Sequence, residues 1–165
     1  MTDDFDLFVI GGGSAGVRTA RVAAEHGARV GIAECRFWGG TCVNVGCVPK
    51  KLLVQAAEYG AFAEDARGFG WDSVRPKHDW AALIAAKDRE IARLSGAYRA
   101  ILQAAGCTVF EARARFAGTH ELKVGEKVVK AERIIIATGG RPVRLSIPGA
   151  ELGIVSDDAF FLPAM

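Results

Sequence analysis

The sequence predicts an α/β protein in which a parallel sheet flanked by helices is joined to a three-stranded antiparallel β-meander. Three observations predict it. Residues 5–10 (FDLFVI) and 28–33 (ARVGIA) are short apolar runs that stop at a glycine and at a glutamate, as buried parallel strands do. Between them, residues 17–26 place Val17, Ala20, Ala23 and Ala24 on one helical face, and Gly27 closes the segment. From Cys107 onward the apolar period drops to two, the period of a strand with one buried face.

The first three elements make a strand–helix–strand unit of about 30 residues. Residues 79–106 read as a long helix, apolar at Leu83, Ile84, Ile91, Leu94, Tyr98, Ile101 and Leu102, with Asp79 as N-cap and Gly106 as stop. Residues 108–116, 120–124 and 127–132 read as the antiparallel strands, with Gly125-Glu126 as the hairpin turn between the last two. Residues 133–138 (RIIIAT) read as one more buried strand, and the Gly- and Pro-rich stretch after it as a connector. The predicted organisation is a domain over 1–150 and a connector over 151–165.

Lysine plus arginine number 21 and aspartate plus glutamate 19, a balance that favours neither nucleic acid nor an anionic membrane as partner. No apolar run approaches the roughly 20 residues of a membrane helix. The acidic N-terminus does not resemble a secretory signal, so the expected location is the cytosol. In a reducing compartment a structural disulfide framework is not expected, and a close cysteine pair suggests metal or redox chemistry. Cys42 and Cys47 are that pair, while Cys35 and Cys107 read as small buried hydrophobes. The histidines, His26, His78 and His120, read as surface residues.

Gly11-x-Gly13-x-x-Gly16 lies between a strand and a helix, the context that makes this spacing a dinucleotide fingerprint. The first glycine permits a tight turn, the second a close approach of backbone to pyrophosphate, and the third close packing of helix on strand. The N–H groups that open the helix at Ser14, Ala15 and Gly16 then face the phosphate. Glu34 ends the second strand 18 residues after Gly16, where a carboxylate can accept from ribose hydroxyls. The fingerprint does not choose FAD over NAD.

Residues 39–51 (GGTCVNVGCVPKK) carry the cysteine pair. A zinc site is disfavoured because no second ligand pair stands at finger spacing. In a regular helix, residues five apart have Cα atoms roughly 8–9 Å apart, beyond the roughly 7 Å a disulfide spans. A redox pair here therefore requires an irregular helix start, which Gly46 and Pro49 permit. So small a loop adds little stability when closed, so the value of the pair is chemical. A thiolate near a helix N-terminus and Lys50 is expected to have a lowered pKa.

This run resembles the redox-active disulfide signature of the glutathione reductase family of pyridine nucleotide–disulfide oxidoreductases. The glycine turn, Glu34 and residues 136–140 (IATGG) match that family's motifs in order and spacing. The resemblance implies a Rossmann-like FAD-binding domain and electron flow from NADPH through FAD and the disulfide to a disulfide substrate. It implies that Cys47 faces the flavin, that Cys42 attacks the substrate, and that Lys50 sits near the flavin's reactive edge. It further implies FAD contacts from Ser14, Glu34, Gly40, Thr41, Cys42, Lys50, Ala114, Thr138 and Gly139.

Val48-Pro49-Lys50-Lys51 resembles the glutathione and trypanothione branches rather than the lipoamide branch. Arg18 and Arg21 share one helix face and suit the carboxylates of glutathione disulfide, although solvated surface arginines would look the same. Tyr98 aligns with a family tyrosine at the disulfide site and equally continues an apolar stripe. No second glycine fingerprint follows, so the NADPH site, the remaining FAD segment and the interface domain of the expected homodimer lie outside these residues. The readings kept open are a trypanothione- or lipoamide-type reductase and a non-catalytic flavin-binding or thiol-switch module.

Overall fold

The computed structural model describes residues 3–72 and 77–165. The two residues at the start of the acidic N-terminus lie outside it. Strand β1 (Asp3–Ile10), helix α1 (Ser14–Glu25) and strand β2 (Val30–Ala33) form the unit read from the sequence, with β1 and β2 parallel. Gly27 closes α1 in a left-handed turn, where Gly27 N–H bonds to Ala24 O and Ala28 N–H to Ala23 O. Asp6 accepts from Arg29 N–H at 2.7 Å and from its guanidinium, fixing the entry to β2.

A short helix α2 (Gly40–Asn44) and a long helix α3 (Cys47–Asp65) follow. Helix α4 (Trp80–Ala104) carries the caps read from the sequence. Asp79 accepts from Ala82 N–H at 3.0 Å, and Gly106 turns left-handed as Cys107 N–H reaches Leu102 O.

Strands β3 (Thr108–Phe110), β4 (Ala114–Phe116), β5 (Glu121–Val124) and β6 (Lys127–Ile136) complete one six-stranded sheet of order β3-β2-β1-β6-β5-β4. The antiparallel meander is present as β4-β5-β6, turning at Gly125. Two strand boundaries differ from the reading above. The 108–116 segment is two strands: β3 runs parallel to β2, and only β4 pairs antiparallel with β5. The α4 crossover delivers the chain to β3 in the parallel sense. The segments 127–132 and 133–138 are one strand, β6, because β1 pairs along one edge while β5 pairs with its first half.

The core occupies both faces of the sheet. Val9, Val30 and Ile32 pack with α1 (Val17, Ala20) and α4 (Leu102), together with Trp38 and Cys107. The opposite face is filled by Phe5, Phe8, Ile10 and Ala33, joined by Leu122 and Val124 of β5 and Val129 and Ala131 of β6. Phe5, Phe8 and Phe110 meet mutually with ring centroids 5.6–6.0 Å apart. The segment read as a connector holds helix α5 (Ser156–Ala159) and is fastened to α4. Lys87 Nζ donates to Phe160 O at 2.9 Å, and Trp80 Nε1 donates to Leu162 O at 2.8 Å. Among the described residues no helix is long and apolar enough to cross a membrane.

Candidate functional site: a glycine turn beside a dithiol

The site is built where β1 and β2 end. Gly11 leaves β1 with φ +112° and donates to Ala33 O at 2.8 Å, so the turn is tied to the neighbouring strand. A Cβ on Gly16 would lie 1.8 Å from Gly11 O, which is why α1 can pack this tightly on the turn. No side chain caps α1 at Gly13, its first turn has no acidic residue, and Ser14 and Ala15 are exposed. An uncapped helix N-terminus with free N–H groups is suited to an anion.

Glu34 holds the second half. Its Oε2 accepts from Gly12 N–H at 2.7 Å, and its Oε1 accepts from Cys35 and Arg36 N–H at 2.8 and 2.6 Å. A carboxylate offers about four acceptor positions, so these three bonds leave capacity for a ribose hydroxyl. Thr138 and Gly139 follow β6 beside the same turn. Ala137 N–H donates to Ile10 O at 2.8 Å, and a Cβ on Gly11 would sit 3.1 Å from Thr138 Cα.

The cysteine run abuts this cradle. Gly39 N–H donates to Gly12 O at 2.8 Å, and a Cβ on Gly40 would lie 2.6 Å from Gly13 Cα. Helix α2 therefore begins against the glycine turn. Cys42 is half-buried within α2, and Cys47 is exposed as the first residue of α3. The helix is interrupted at Val45-Gly46, the irregularity that a pair at this spacing requires. Both cysteines are free thiols.

The Cys42 thiol is held above the ordinary thiol range, first by its hydrogen bond with Cys47, then by burial and by the charge Cys47 can carry. At Cys42 the shift therefore runs opposite to the lowering expected of a thiolate near a helix N-terminus and a lysine, with the partner sulfur and burial as its causes. Lys50 is exposed one turn beyond Cys47, and its N–H bonds to Gly46 O at 3.0 Å.

The structure brings together Gly11, Gly13, Ser14, Gly16, Glu34, Gly40, Thr41, Cys42, Cys47 and Thr138. Ala114 opens β4 with its side chain against the core, four residues beyond Phe110, whose carbonyl accepts Glu34 N–H at 3.0 Å. Of the substrate candidates, Arg21 and Tyr98 are engaged with their own surroundings. Arg18 is exposed, Arg21 pairs with Glu25 at 3.6 Å, and Tyr98 of α4 packs against the core cluster that α4 shares with α1. Cys107 is buried as read, but Cys35 is exposed, because it lies in the turn whose N–H groups bind Glu34 rather than in the strand before it. Among the described residues no group of three or more His, Cys, Asp or Glu could hold a metal.

Sequence reasoning missed Trp38 and Asn44. The Trp38 ring lies against Gly12, where a Cβ would come within 2.5 Å, and its carbonyl accepts from Asn44 and from Ser95. An asparagine between two cysteines was the available signal, and only tertiary contacts reveal its use.

Fold and site together define a nucleotide-binding α/β domain carrying a dithiol at its binding turn. Residues 5–162 match the family of pyridine nucleotide-disulphide oxidoreductases, and the chain belongs to that family. It is 56% identical over 160 residues to a glutathione reductase of Burkholderia cepacia, covering 97% of this chain and 36% of that protein. It is 45% identical over 173 residues to a chloroplastic/mitochondrial glutathione reductase of Pisum sativum, covering 98% and 31%. A thioredoxin reductase of Emiliania huxleyi is 43% identical over 175 residues, covering 96% and 35%. The chain thus spans about a third of the length of these relatives.

Proposed function

We propose that this chain is the FAD-binding part of an NADPH-dependent reductase of glutathione disulfide. The observation that carries the reading is the contact of the Gly40 backbone with Gly13, which seats the Cys42–Cys47 pair beside the glycine turn. FAD, when bound, supplies the two-electron link between nicotinamide and dithiol. Gly11, Gly13, Ser14, Ala15 and Gly16 would receive its pyrophosphate, Glu34 its ribose, and Gly40, Thr41, Cys42, Lys50, Ala114, Thr138 and Gly139 would line the remainder. Residues 1–150 are the cofactor domain, and 151–165 lead to an NADPH-binding domain. The working enzyme is a cytosolic homodimer whose acid/base pair comes from the remaining polypeptide.

In the half-reaction that oxidises the dithiol, the Cys42 thiolate attacks one sulfur of glutathione disulfide, releasing one glutathione and leaving a mixed disulfide on Cys42. Cys47 then attacks the Cys42 sulfur, the Cys42–Cys47 bond forms, and the second glutathione departs. Two electrons leave the dithiol, and its two protons end on the two products. Because Cys42 retains its proton beyond the ordinary thiol range, this step needs a base within reach.

The test is Cys42→Ser in the flavin-loaded whole enzyme. Flavin reduction by NADPH should persist while turnover of glutathione disulfide is abolished. Normal turnover would remove Cys42 from the mechanism, and wild-type turnover of oxidised thioredoxin but not of glutathione disulfide would move the substrate assignment.

A further inference from the structure

Between the two cysteines lie three buried residues, Val43, Asn44 and Val45. Asn44 is the polar one. Its amide donates to Trp38 O at 2.9 Å and to Gly40 O at 3.0 Å. Those carbonyls flank Gly39, the residue whose N–H is tied to the glycine turn through Gly12 O. The Trp38 carbonyl also receives the Ser95 hydroxyl of α4 at 3.0 Å. One side chain, placed between the thiols, therefore holds the turn on which the nucleotide loop, α2 and α4 converge.

The exit from α2 is equally constrained. Val45 N–H bonds to Thr41 O at 2.9 Å, and a Cβ on Gly46 would lie 2.8 Å from that same oxygen. With both ends fixed, the approach of the two sulfurs depends on the position of α2. Two neighbouring carbonyls need two donors, and a terminal NH2 group supplies both from one plane.

We propose that Asn44 is the positioning residue of the Cys42–Cys47 pair: its amide, by holding the Trp38 and Gly40 carbonyls, sets the sulfur–sulfur approach and hence the redox poise. The inference rests on the reductase reading and deepens it. Aspartate has the same shape but, when ionised, no donor, and it would place a negative charge beside two carbonyl oxygens. Loosening α2 lowers the effective concentration of one thiol toward the other. The pair then becomes harder to oxidise.

The experiment equilibrates the chain, with Cys35 replaced by serine, in glutathione/glutathione disulfide buffers. The fraction of Cys42–Cys47 disulfide is read by acid quench and thiol labelling. Dithiol plus glutathione disulfide gives protein disulfide plus two glutathione molecules, so electrons and protons balance without flavin. Asn44→Asp should lower the equilibrium constant at least tenfold, raising the midpoint by about 30 mV, the value of a tenfold change in a two-electron couple. Asn44→Ser keeps one donor, should shift the constant by an intermediate factor, and serves if the aspartate variant does not fold. Val45→Ala loosens the same buried strip without touching the amide and should stay within twofold of wild type despite a lower Tm.

An unchanged constant in both Asn44 variants overturns the inference while leaving the reductase reading intact. An equal shift in Val45→Ala shows that Asn44 acts only through stability and overturns it too. A wild-type chain that never forms the disulfide defeats the reductase reading itself.

Discussion

The Glu34 carboxylate accepts the Gly12 N–H at 2.7 Å across 22 residues of sequence, joining the glycine turn to the end of β2. Its other oxygen takes two consecutive N–H groups of the following turn. One side chain thus shapes the cradle before any nucleotide enters it. Glu34→Gln keeps the size, removes the charge and turns one acceptor into a donor facing an N–H. Stability should fall by about 1–3 kcal/mol, and FAD affinity by tenfold or more. Thermal unfolding and flavin fluorescence would check this, and unchanged affinity would leave Glu34 a purely structural brace.

Cys42 gives a prediction with a definite sign. Its thiol is held above the ordinary value of 9.0, with the hydrogen bond to Cys47 as the largest cause. Alkylation of Cys42 by iodoacetamide should therefore be slow at pH 7–8 and keep rising above pH 9. Removing the partner in Cys47→Ser should move the alkylation profile to lower pH. By linkage, the folded state gains from this thiol below the unfolded value and loses that gain as pH rises through the folded one. Mass spectrometry of trapped peptides reads the profile. A profile in Cys47→Ser that matches wild type would sink the assignment of cause.

Lys87 is a long polar side chain, yet it is only 2% exposed. Its ammonium group donates to Phe160 O and Asp88 and lies 4.7 Å from the centre of the Phe161 ring. Lys87→Met fills a similar volume but leaves the Phe160 carbonyl without its donor, at a cost of about 1–3 kcal/mol. Amide exchange across α5 should accelerate while that of β1 and β2 stays slow. Unchanged protection at α5 would mean that the Trp80–Leu162 bond and the Arg36–Asp157 pair hold the segment without Lys87.

What was legible in the sequence is what short range determines. The glycine turn and Glu34 were visible because a nucleotide cradle needs fixed residue types at fixed spacing, and Asp79 and Gly106 because caps are local. The continuity of β6 was hidden by Glu132 and Arg133, which interrupt the apolar run. Ladder hydrogen bonds come from the backbone, so β1 pairs straight through them, with Arg133 opposite Leu7. The direction of β3 was hidden because a period of two is the same for parallel and antiparallel strands. Lys87 falls within the stripe of Ile84, Ile91 and Leu94 on α4, an anomaly that pattern reading passes over and burial explains. Trp38 had no signal of its own, since its value lies in contacts with Gly12 and Ser95, and the place of Asn44 between two cysteines did not reveal its bonds to the Trp38 and Gly40 carbonyls.

Arg21 is the residue on which the proposed recognition of glutathione disulfide is tested. Its guanidinium lies 3.6 Å from Glu25 one helical turn away, and its side chain is 35% exposed. An exposed pair of this kind contributes little to stability, so Arg21 can leave Glu25 for a stronger partner such as a glutathione carboxylate. If it does so in the whole enzyme, Arg21→Glu should raise KM for glutathione disulfide by roughly tenfold to a hundredfold, the loss of a charge-assisted contact of about 1.5–3 kcal/mol. The chemical step should change much less, because the contact acts as uniform binding away from the reacting sulfurs. The effect should shrink with added salt, as exposed charges are screened. Glu25→Gln supplies the opposite test: freeing Arg21 from its neighbour should lower KM modestly with kcat unchanged. Steady-state kinetics of both variants at two ionic strengths would decide. If neither KM moves, Arg21 is a solvated helix residue, and recognition of the substrate carboxylates lies elsewhere in the enzyme.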